Sequence, residues 1–312
     1  MIAEMNRTIE AAFERRRCIQ LNCIRIGFIG AGRVGVSFGK YLKEKGMNIS
    51  GYYSQSPDSA KFAAEFTNTT HFKSLQEVIA SSDMLLFTVP DNAIAKVWEE
   101  AKPYVSNMII GHCSGLHSSK IFSDSGSNGN YAYSIHPLSA VSSKESSWKE
   151  FPNILFTLEG DEKYLNKIEK MFKSMGNRTK IISTENKIKY HAAAALSSNY
   201  MTALFYMAQE LFVQCGFDEK EAKDELYGLA KGNLENILKM GCVKALTGPL
   251  ERNDIETVKS HIECLEPKMR IVYQSNADYL IEVASKKNPD RDYTSMRQLC
   301  EKSYIESIID NV

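Results

Sequence analysis

The sequence predicts a doubly wound α/β domain followed by an all-α domain, on three observations. Short apolar strands alternate with amphipathic helices over the first half of the chain. A glycine-rich turn, Gly30-Ala31-Gly32-Arg33-Val34-Gly35, separates the first strand from the first helix. Beyond Leu158 the pattern becomes helical almost to the end. Strands that alternate with helices argue for a parallel sheet covered on both faces.

The elements follow in order. Ile24 to Ile29 is a short apolar run that ends in glycine. Val34 to Lys45 has helical spacing, with Val36, Phe38, Tyr41 and Leu42 recurring on one side, and Gly46 stops it. Asn48 to Tyr53 is a second strand. Pro57 to Phe66 is a helix with proline suited to its first turn. Met84 to Val89 is a buried strand, followed by Pro90 and a helix from about Asn92, with Asp91 as its expected N-cap. Met108 to Gly111, Tyr131 to Ile135 and Ile154 to Leu158 are further strands. Asp124 to Asn130 (D-S-G-S-N-G-N) reads as a flexible surface loop. Asp161 to Met175 is amphipathic, and the helical pattern resumes at Glu185. Gly216 closes one long helix. Asp218 with Glu221 forms a capping box for the next, and Asn253 with Glu256 a second. The expected organisation is a leader over 1–22, helical or disordered, a nucleotide-binding domain over 23–158 and a helical domain over 159–312.

Composition excludes several classes. The chain has 312 residues, 43% hydrophobic, with 38 basic and 38 acidic residues. A nucleic-acid binder usually carries a basic excess or stripe, and none is present. A balanced charge leaves little to keep monomers apart, so a homodimer through the helical domain is expected. No stretch approaches the ~20 apolar residues of a membrane helix. Arg15-Arg16-Arg17 is followed by no apolar h-region, which argues against a secretory signal. The seven cysteines form no C-x-x-C pair and are widely scattered, which fits neither a disulfide framework nor a zinc site. A reducing, cytoplasmic setting follows.

The glycine turn carries the strongest chemical signal because it has strand before and helix after. Gly30 permits the tight turn. Gly32 removes a Cβ that would block a pyrophosphate. Gly35 lets helix and strand approach, and phosphates then meet N–H groups at the helix N-terminus. Together with Ala31, Arg33 and Val34 these are the expected dinucleotide contacts. A domain that prefers NAD tends to place an acid at the end of the second strand, on the ribose 2′-hydroxyl. Here stand Ser54-Gln55-Ser56. The two serine hydroxyls can hydrogen-bond a 2′-phosphate, with Arg33 supplying charge, so NADP(H) is favoured over NAD(H). The alternative is that Ser54 and Ser56 only form a turn ahead of Pro57. Val89 and Pro90, at the carboxyl end of the fourth strand, are expected to line the cofactor.

Four segments together resemble a known family. They are Gly27-Phe28-Ile29 with the glycine turn; Thr88-Val89-Pro90-Asp91; His112-Cys113-Ser114-Gly115 with Ser134-Ile135-His136-Pro137-Leu138; and Tyr190-His191-Ala192-Ala193-Ala194 through Ser198-Asn199-Tyr200, then Thr247-Gly248-Pro249-Leu250-Glu251-Arg252-Asn253-Asp254. The chain resembles Rossmann-like proteins that carry a DUF2520 domain, relatives of pyrroline-5-carboxylate reductase, ketopantoate reductase and 6-phosphogluconate dehydrogenase-like enzymes. The resemblance implies NADP-dependent oxidoreduction and supplies no substrate. Asn253 replaces the family's usual glycine, and asparagine tolerates positive φ. Gln55 stands where relatives often have arginine.

A reductase also needs a proton donor and groups that orient substrate. On the helix after Glu185, Lys187, His191 and Ser198 are spaced to share one side, with Asn199 about 100° round. Small residues between them leave room for a cleft, although an alanine run also suits close helix contact with His191 as a satisfied core residue. Lys187 and Lys189 are not distinguished by spacing. His136 ends a strand and is a candidate acid, since histidine titrates near neutrality. Ser114 and Asn199 are candidates to orient substrate. Thr247 and Arg252 are candidate substrate residues, Arg252 as a clamp for an anion or as a structural partner of Asp254. His112, His136 and His191 show no metal-binding spacing.

The leading expectation is an NADP(H)-dependent oxidoreductase acting on a small carbonyl or imine, carboxylate-bearing substrate. Two other readings stay open: a redox sensor that binds NADP(H) without turnover, and a ketopantoate-like reductase.

Overall fold

Strand β1 (Arg25–Ile29) alternates Ile26 and Phe28 to one side of a sheet and Ile29 to the other. The computed structural model describes residues 24–309; the expected leader over 1–22, with Cys18, lies outside them, as does Cys23. After β1 come α1 (Arg33–Glu44), β2 (Asn48–Tyr53), α2 (Pro57–Thr67), β3 (Thr70–His71), α3 (Leu75–Ala80), β4 (Met84–Phe87), α4 (Ile94–Ala101), β5 (Ile109–His112) and β6 (Tyr131–Pro137). Next are β7 (Leu155–Gly160), α5 (Glu162–Ser174), β8 (Arg178–Ile181) and α6 (Lys187–Leu196). The sheet order is β3-β2-β1-β4-β5-β6-β7-β8. Pairing is parallel throughout except between β6 and β7. The order reverses between β1 and β4, and the crevice at such a reversal is where open α/β sheets bind ligands.

Each face has its own core. Phe28, Phe38, Tyr41, Phe151, Phe156 and Phe172 dominate one. Leu85, Phe87, Ile94, Trp98, Ile110 and Phe122 dominate the other. Burying each such side chain fully stabilises the fold by about 1.5–3 kcal/mol. All four residues of β4 are buried, which is why that strand reads as an unbroken apolar run. Two polar groups inside these cores are paired. Tyr41 donates to Asn177 Oδ1 at 2.6 Å, and Trp98 Nε1 donates to the Ser123 carbonyl at 2.8 Å.

Several expectations need correction. Strand β4 stops at Phe87, with Thr88 N still donating to the Ile29 carbonyl at 2.8 Å just beyond it. Asp91 is not an N-cap: it opens a 3₁₀ turn, Asp91–Ala93, whose cap position is Pro90. Strands β3 and β8 were not expected. The first has two residues, and the second is an edge strand (R-T-K-I) with no apolar alternation. The segment read as a flexible loop contains a 3₁₀ turn, Ser125–Asn128. It ends at buried Asn130, which accepts from Met108 N and donates to the Val105 carbonyl.

The chain divides by contacts into Met1–Ser198 and Asn199–Val312. The sequence placed the division after Leu158. Helix α5, strand β8 and helix α6 stay with the first unit because they extend and cover its sheet. The second unit is helical: α7 (Asn199–Gln214), α8 (Glu219–Ala245), α9 (Pro249–Arg252), α10 (Ile255–Cys264), α11 (Pro267–Lys287) and α12 (Thr294–Ile309). Its core is formed by Leu250, Val258, Ile262, Ile281, Tyr293 and Met296, among others. Asp218 and Glu221 make the expected capping box. The second expected box is not formed. Asn253 takes the left-handed conformation (φ 62°) at the end of α9, and Asp254 caps α10 by accepting from Thr257 N. Helix α7 buries none of its residues although it is largely apolar (N-Y-M-T-A-L-F-Y-M-A-Q-E-L-F-V-Q).

Candidate active site

The glycine turn is built around Thr88. Gly30 has φ +108°, and its N–H donates to the Tyr53 carbonyl at 2.7 Å. A Cβ on Gly30 would lie 2.8 Å from the Thr88 carbonyl carbon, and one on Gly35 would lie 2.4 Å from Thr88 Oγ1. Both glycines are therefore needed by the protein itself. Gly32 differs: a Cβ there would meet only Thr88 O, at 3.9 Å, an ordinary contact. Gly32 is the N-cap of α1, with no side chain capping the helix and no acid in its first turn. Such an end attracts anions. Beside it is a cavity of about 170 Å³, lined by Gly32, Ser54, Gln55, Thr88, Val89 and Pro90 among others.

Ala31 is buried, Val34 half-buried and Arg33 exposed. Ser54 Oγ accepts from Ser56 N, and Ser56 Oγ accepts from Ser59 N as the N-cap of α2. The turn-forming alternative thus describes both serines. Each hydroxyl oxygen accepts an N–H, which leaves its proton available to donate. Thr88 is the residue that the sequence reading left unassigned here.

A second group of side chains lies on the sheet face that β6 and β7 present to α6. Strand β6 turns Tyr133 and Ile135 into the core, and β7 turns in Phe156 and Leu158. Ser134, His136, Thr157 and Glu159 alternate with them, and the register pairs Ser134 with Glu159 and His136 with Thr157. Helix α6 covers this polar patch. Lys187 is 1% exposed. Its Nζ donates to Ser134 Oγ at 2.7 Å and to the Ser114 carbonyl at 3.0 Å. Lys189 is exposed, so the structure separates the two lysines. Tyr190 OH lies 2.7 Å from His136 Nδ1.

Burial lowers the Lys187 amine to about 8, opposed mainly by the negative charge of Glu159 and more weakly by that of Asp91. Burial also lowers His136 to about 3, helped by the nearby charge of Lys187. His112 falls to about 3, again mainly through burial. Its partners agree: Ser114 N–H donates to Nδ1, and Nε2 faces the Ser118 carbonyl. Only a neutral ring with its proton on Nε2 satisfies both. Burial raises the Cys113 thiol to about 12, which suits a packing residue rather than a nucleophile.

Gly115 opens a notch in this group. A Cβ there would lie 2.7 Å from His191 Nδ1 and 2.9 Å from His136 Nε2. His191 Nδ1 is buried with no hydrogen-bond partner among the described residues. The reading of His191 as a satisfied core histidine therefore fails. Such an orphaned atom calls for water or ligand.

Of the expected catalytic residues, Lys187, His136, His191 and Ser114 come together. Ser114 Oγ accepts from the amides of Leu116 and His117, at 3.1 Å each, so its hydroxyl first serves the turn. Ser198 does not continue the stripe. Helix α6 ends at Leu196, Ser198 Oγ donates back to the Ala194 carbonyl, and Asn199 begins α7 in the second unit. Thr247 and Arg252 also belong to the second unit and are exposed. Reasoning on sequence missed Glu159 and Tyr190. The signal was present: S-I-H-P and F-T-L-E alternate polar and apolar residues where a two-sided apolar strand was expected.

The fold and the glycine turn define a Rossmann-like domain followed by a helical one. A Rossmann-like domain model matches residues 11–137, and the domain of unknown function DUF2520 matches residues 154–280. Protein TM1727 from Thermotoga maritima is similar at 30% identity and a TM-score of 0.68, covering 84% of this chain and 99% of that one. The chain belongs to the family that joins these two domains. Protein BF3122 from Bacteroides fragilis is similar at 20% identity and a TM-score of 0.69, over 83% of this chain and 98% of that one. Pyrroline carboxylate reductase from Plasmodium falciparum, with NADP bound, is similar at 16% identity and a TM-score of 0.57, over 92% and 99%. These last two share the fold. No curated protein matches the sequence. Among the described residues no helix is long and apolar enough to cross a membrane, and no three metal-ligating side chains gather.

Proposed function

We propose that this protein is an NADP(H)-dependent oxidoreductase acting on a small carbonyl or imine compound, with a carboxylate on the substrate. The observation that carries the reading is the buried Lys187 amine, lowered to about 8, beside the neutral His136 and half-buried His191 at the carboxyl edge of the sheet. A donor that titrates near the working pH is what general acid catalysis favours.

The glycine turn fits the dinucleotide. The missing side chain of Gly32 faces open space rather than protein, and the α1 terminus beside it is uncapped. Gly30 to Gly35 would hold the pyrophosphate. Ser54 and Ser56 would donate to a 2′-phosphate, Gln55 would line its pocket and Arg33 would supply the charge. Val89 and Pro90 would border the nicotinamide half. A reduced nicotinamide dinucleotide held by these residues would supply the hydride for an electrophilic carbon. Lys187 delivers a proton to the oxygen or nitrogen of that centre. His136, held uncharged by burial, and His191 act as hydrogen-bonding groups around the Gly115 notch, which replaces the acid role first expected of His136. Ser198, just beyond α6, is a candidate for the substrate's carboxylate.

The second unit supports a homodimer. Tyr200, Met201, Leu204 and Tyr206 of α7 and Leu229 and Leu238 of α8 are exposed, Leu238 at 78%. A long apolar helix with no buried residue is a face for a second copy. Sedimentation at micromolar concentration tests this: the chain should run as a dimer and Leu204→Glu as a monomer.

For the enzyme, calorimetry should give tighter binding of NADPH than NADH. NADPH consumption should respond to a panel of 2-oxo acids and cyclic imines, and Lys187→Met should lower kcat at least 100-fold with NADPH affinity kept within threefold. Failure to bind either dinucleotide would sink the proposal. Binding without turnover on the whole panel would favour a sensor.

A further inference from the structure

The Lys187 ammonium and the Glu159 carboxylate are both buried, at 1% and 2% exposure, yet they do not bond to each other. Both hydrogen bonds from Lys187 go to neutral oxygens, Ser134 Oγ and Ser114 O. Glu159 takes its hydrogen bonds elsewhere. Oε2 accepts from Ser119 N at 2.7 Å, and Oε1 accepts from Ser119 Oγ at 2.9 Å and from Thr184 Oγ1 at 2.7 Å. All three are donors, the arrangement that suits an ionised carboxylate. The two charges are linked through Ser134. It is the cross-strand partner of Glu159, and its hydroxyl receives the Lys187 proton. Paired residues of adjacent strands have their Cα atoms only about 5 Å apart.

We propose that Glu159 is a positioning residue for Lys187: a carboxylate locked on β7 whose charge keeps the buried amine protonated without sealing it in an ion pair. The proposal rests on Lys187 as the proton donor. The chemistry explains the separation. A direct buried ion pair would hold the proton too tightly and occupy the amine with a carboxylate. A buried lysine with no countercharge would lose its proton well below neutrality. A carboxylate one strand away offsets the cost of burial while the amine keeps neutral, exchangeable partners.

Other groups face Lys187. Asp91 follows β4, and His112 and Cys113 end β5. His136 lies on β6, and Tyr190 and His191 lie on α6, the Tyr190 ring centroid being 5.7 Å from Nζ. The histidines can only disfavour the ammonium. Of the acids, Glu159 has the strongest influence on Lys187, and it alone is fixed by three hydrogen bonds.

Glu159→Gln is a suitable test because the amide fits. Its oxygen can take the place of Oε2 opposite Ser119 N. Its NH₂ can replace Oε1, since the hydroxyls of Ser119 and Thr184 can turn to accept. Selectively labelled lysine, read by heteronuclear NMR in the intact protein without substrate, gives the Lys187 titration directly. Glu159→Gln should lower its midpoint by about one pH unit, tenfold in proton affinity. Glu159→Asp, which restores the charge, should bring it back by more than half. An unchanged midpoint in Glu159→Gln overturns the proposal. If that variant does not fold, Glu159→Asp carries the test alone: drawing the carboxylate back by one methylene should lower the Lys187 midpoint by less than about half a pH unit but measurably, and an unchanged midpoint there overturns the proposal equally. The two readings separate cleanly. A midpoint that moves while Lys187→Met stays active leaves Glu159 coupled to a lysine that is not the donor. An inactive Lys187→Met with an unmoved midpoint removes Glu159 alone.

Discussion

Thr88 Oγ1 donates to the carbonyl oxygen of Gly30 at 2.8 Å and so ties the end of β4 to the turn after β1. The same oxygen leaves no room for a side chain on Gly35. Thr88→Val removes the donor and keeps the shape, which should cost about 1–3 kcal/mol. Gly35→Ala should cost a similar ~1–3 kcal/mol through overpacking. Denaturant unfolding measures both. A loss below about 0.5 kcal/mol in Thr88→Val would mean that the bond does not hold the turn.

Gly32→Ala separates ligand from fold. The new methyl meets ordinary contact only, and Gly32 already has φ −76°, open to any residue. Stability should change by less than about 1 kcal/mol. NADPH affinity should fall at least tenfold, because the methyl points into the space assigned to the pyrophosphate. Unchanged affinity by calorimetry would place the phosphates elsewhere.

Lys187 makes stability depend on pH on the alkaline side. Its amine is lowered in the folded state to about 8 from 10.5. Between those values the unfolded chain binds more protons, so folding is favoured as pH rises through the window. The burial cost is fully present below pH 8. Its relief by pH 10.5 should approach about 3 kcal/mol for a fully buried amine. The difference between wild type and Lys187→Met, followed from pH 7 to 10.5, should show this rise. Turnover should move the opposite way and fall above pH 8 as the donor loses its proton.

The buried histidines act on the acid side. His112 and His136 are lowered to about 3 from 6.5, so the unfolded state binds the extra protons between those values. Stability should fall as pH drops from 6.5 towards 3, by up to about 1.4 kcal/mol per pH unit for each ring. His136→Gln should show a shallower decline. An equal slope in wild type and variant would mean that His136 is already protonated in the folded protein.

Much of the first unit was legible in the sequence because strands such as β1 and β4 are apolar on both faces and its helices on one. Ile26, Phe28 and Leu85 announce their burial by type alone. The glycine turn was legible because backbone geometry forces its residue types. The polar patch was only half legible. Lys187 and His191 share a side of α6, which spacing revealed, but Glu159 reaches them through cross-strand register with Ser134, and register leaves no trace in one sequence. Ser198 was misplaced because no Gly or Pro marks the end of α6. The sequence divides the chain after Leu158 and contacts divide it after Ser198, because β8 is a polar edge strand that extends the sheet by pairing with β7.

The bare start of α1 has a thermodynamic consequence. Its first amides face no capping side chain, so an anion that docks there completes the helix as well as the site. Once free dinucleotide exceeds its dissociation constant, each further tenfold rise adds about 1.4 kcal/mol to resistance against unfolding. The melting temperature of this protein then becomes a gauge of nucleotide supply, and a cell short of reduced dinucleotide would hold a measurably softer population of molecules.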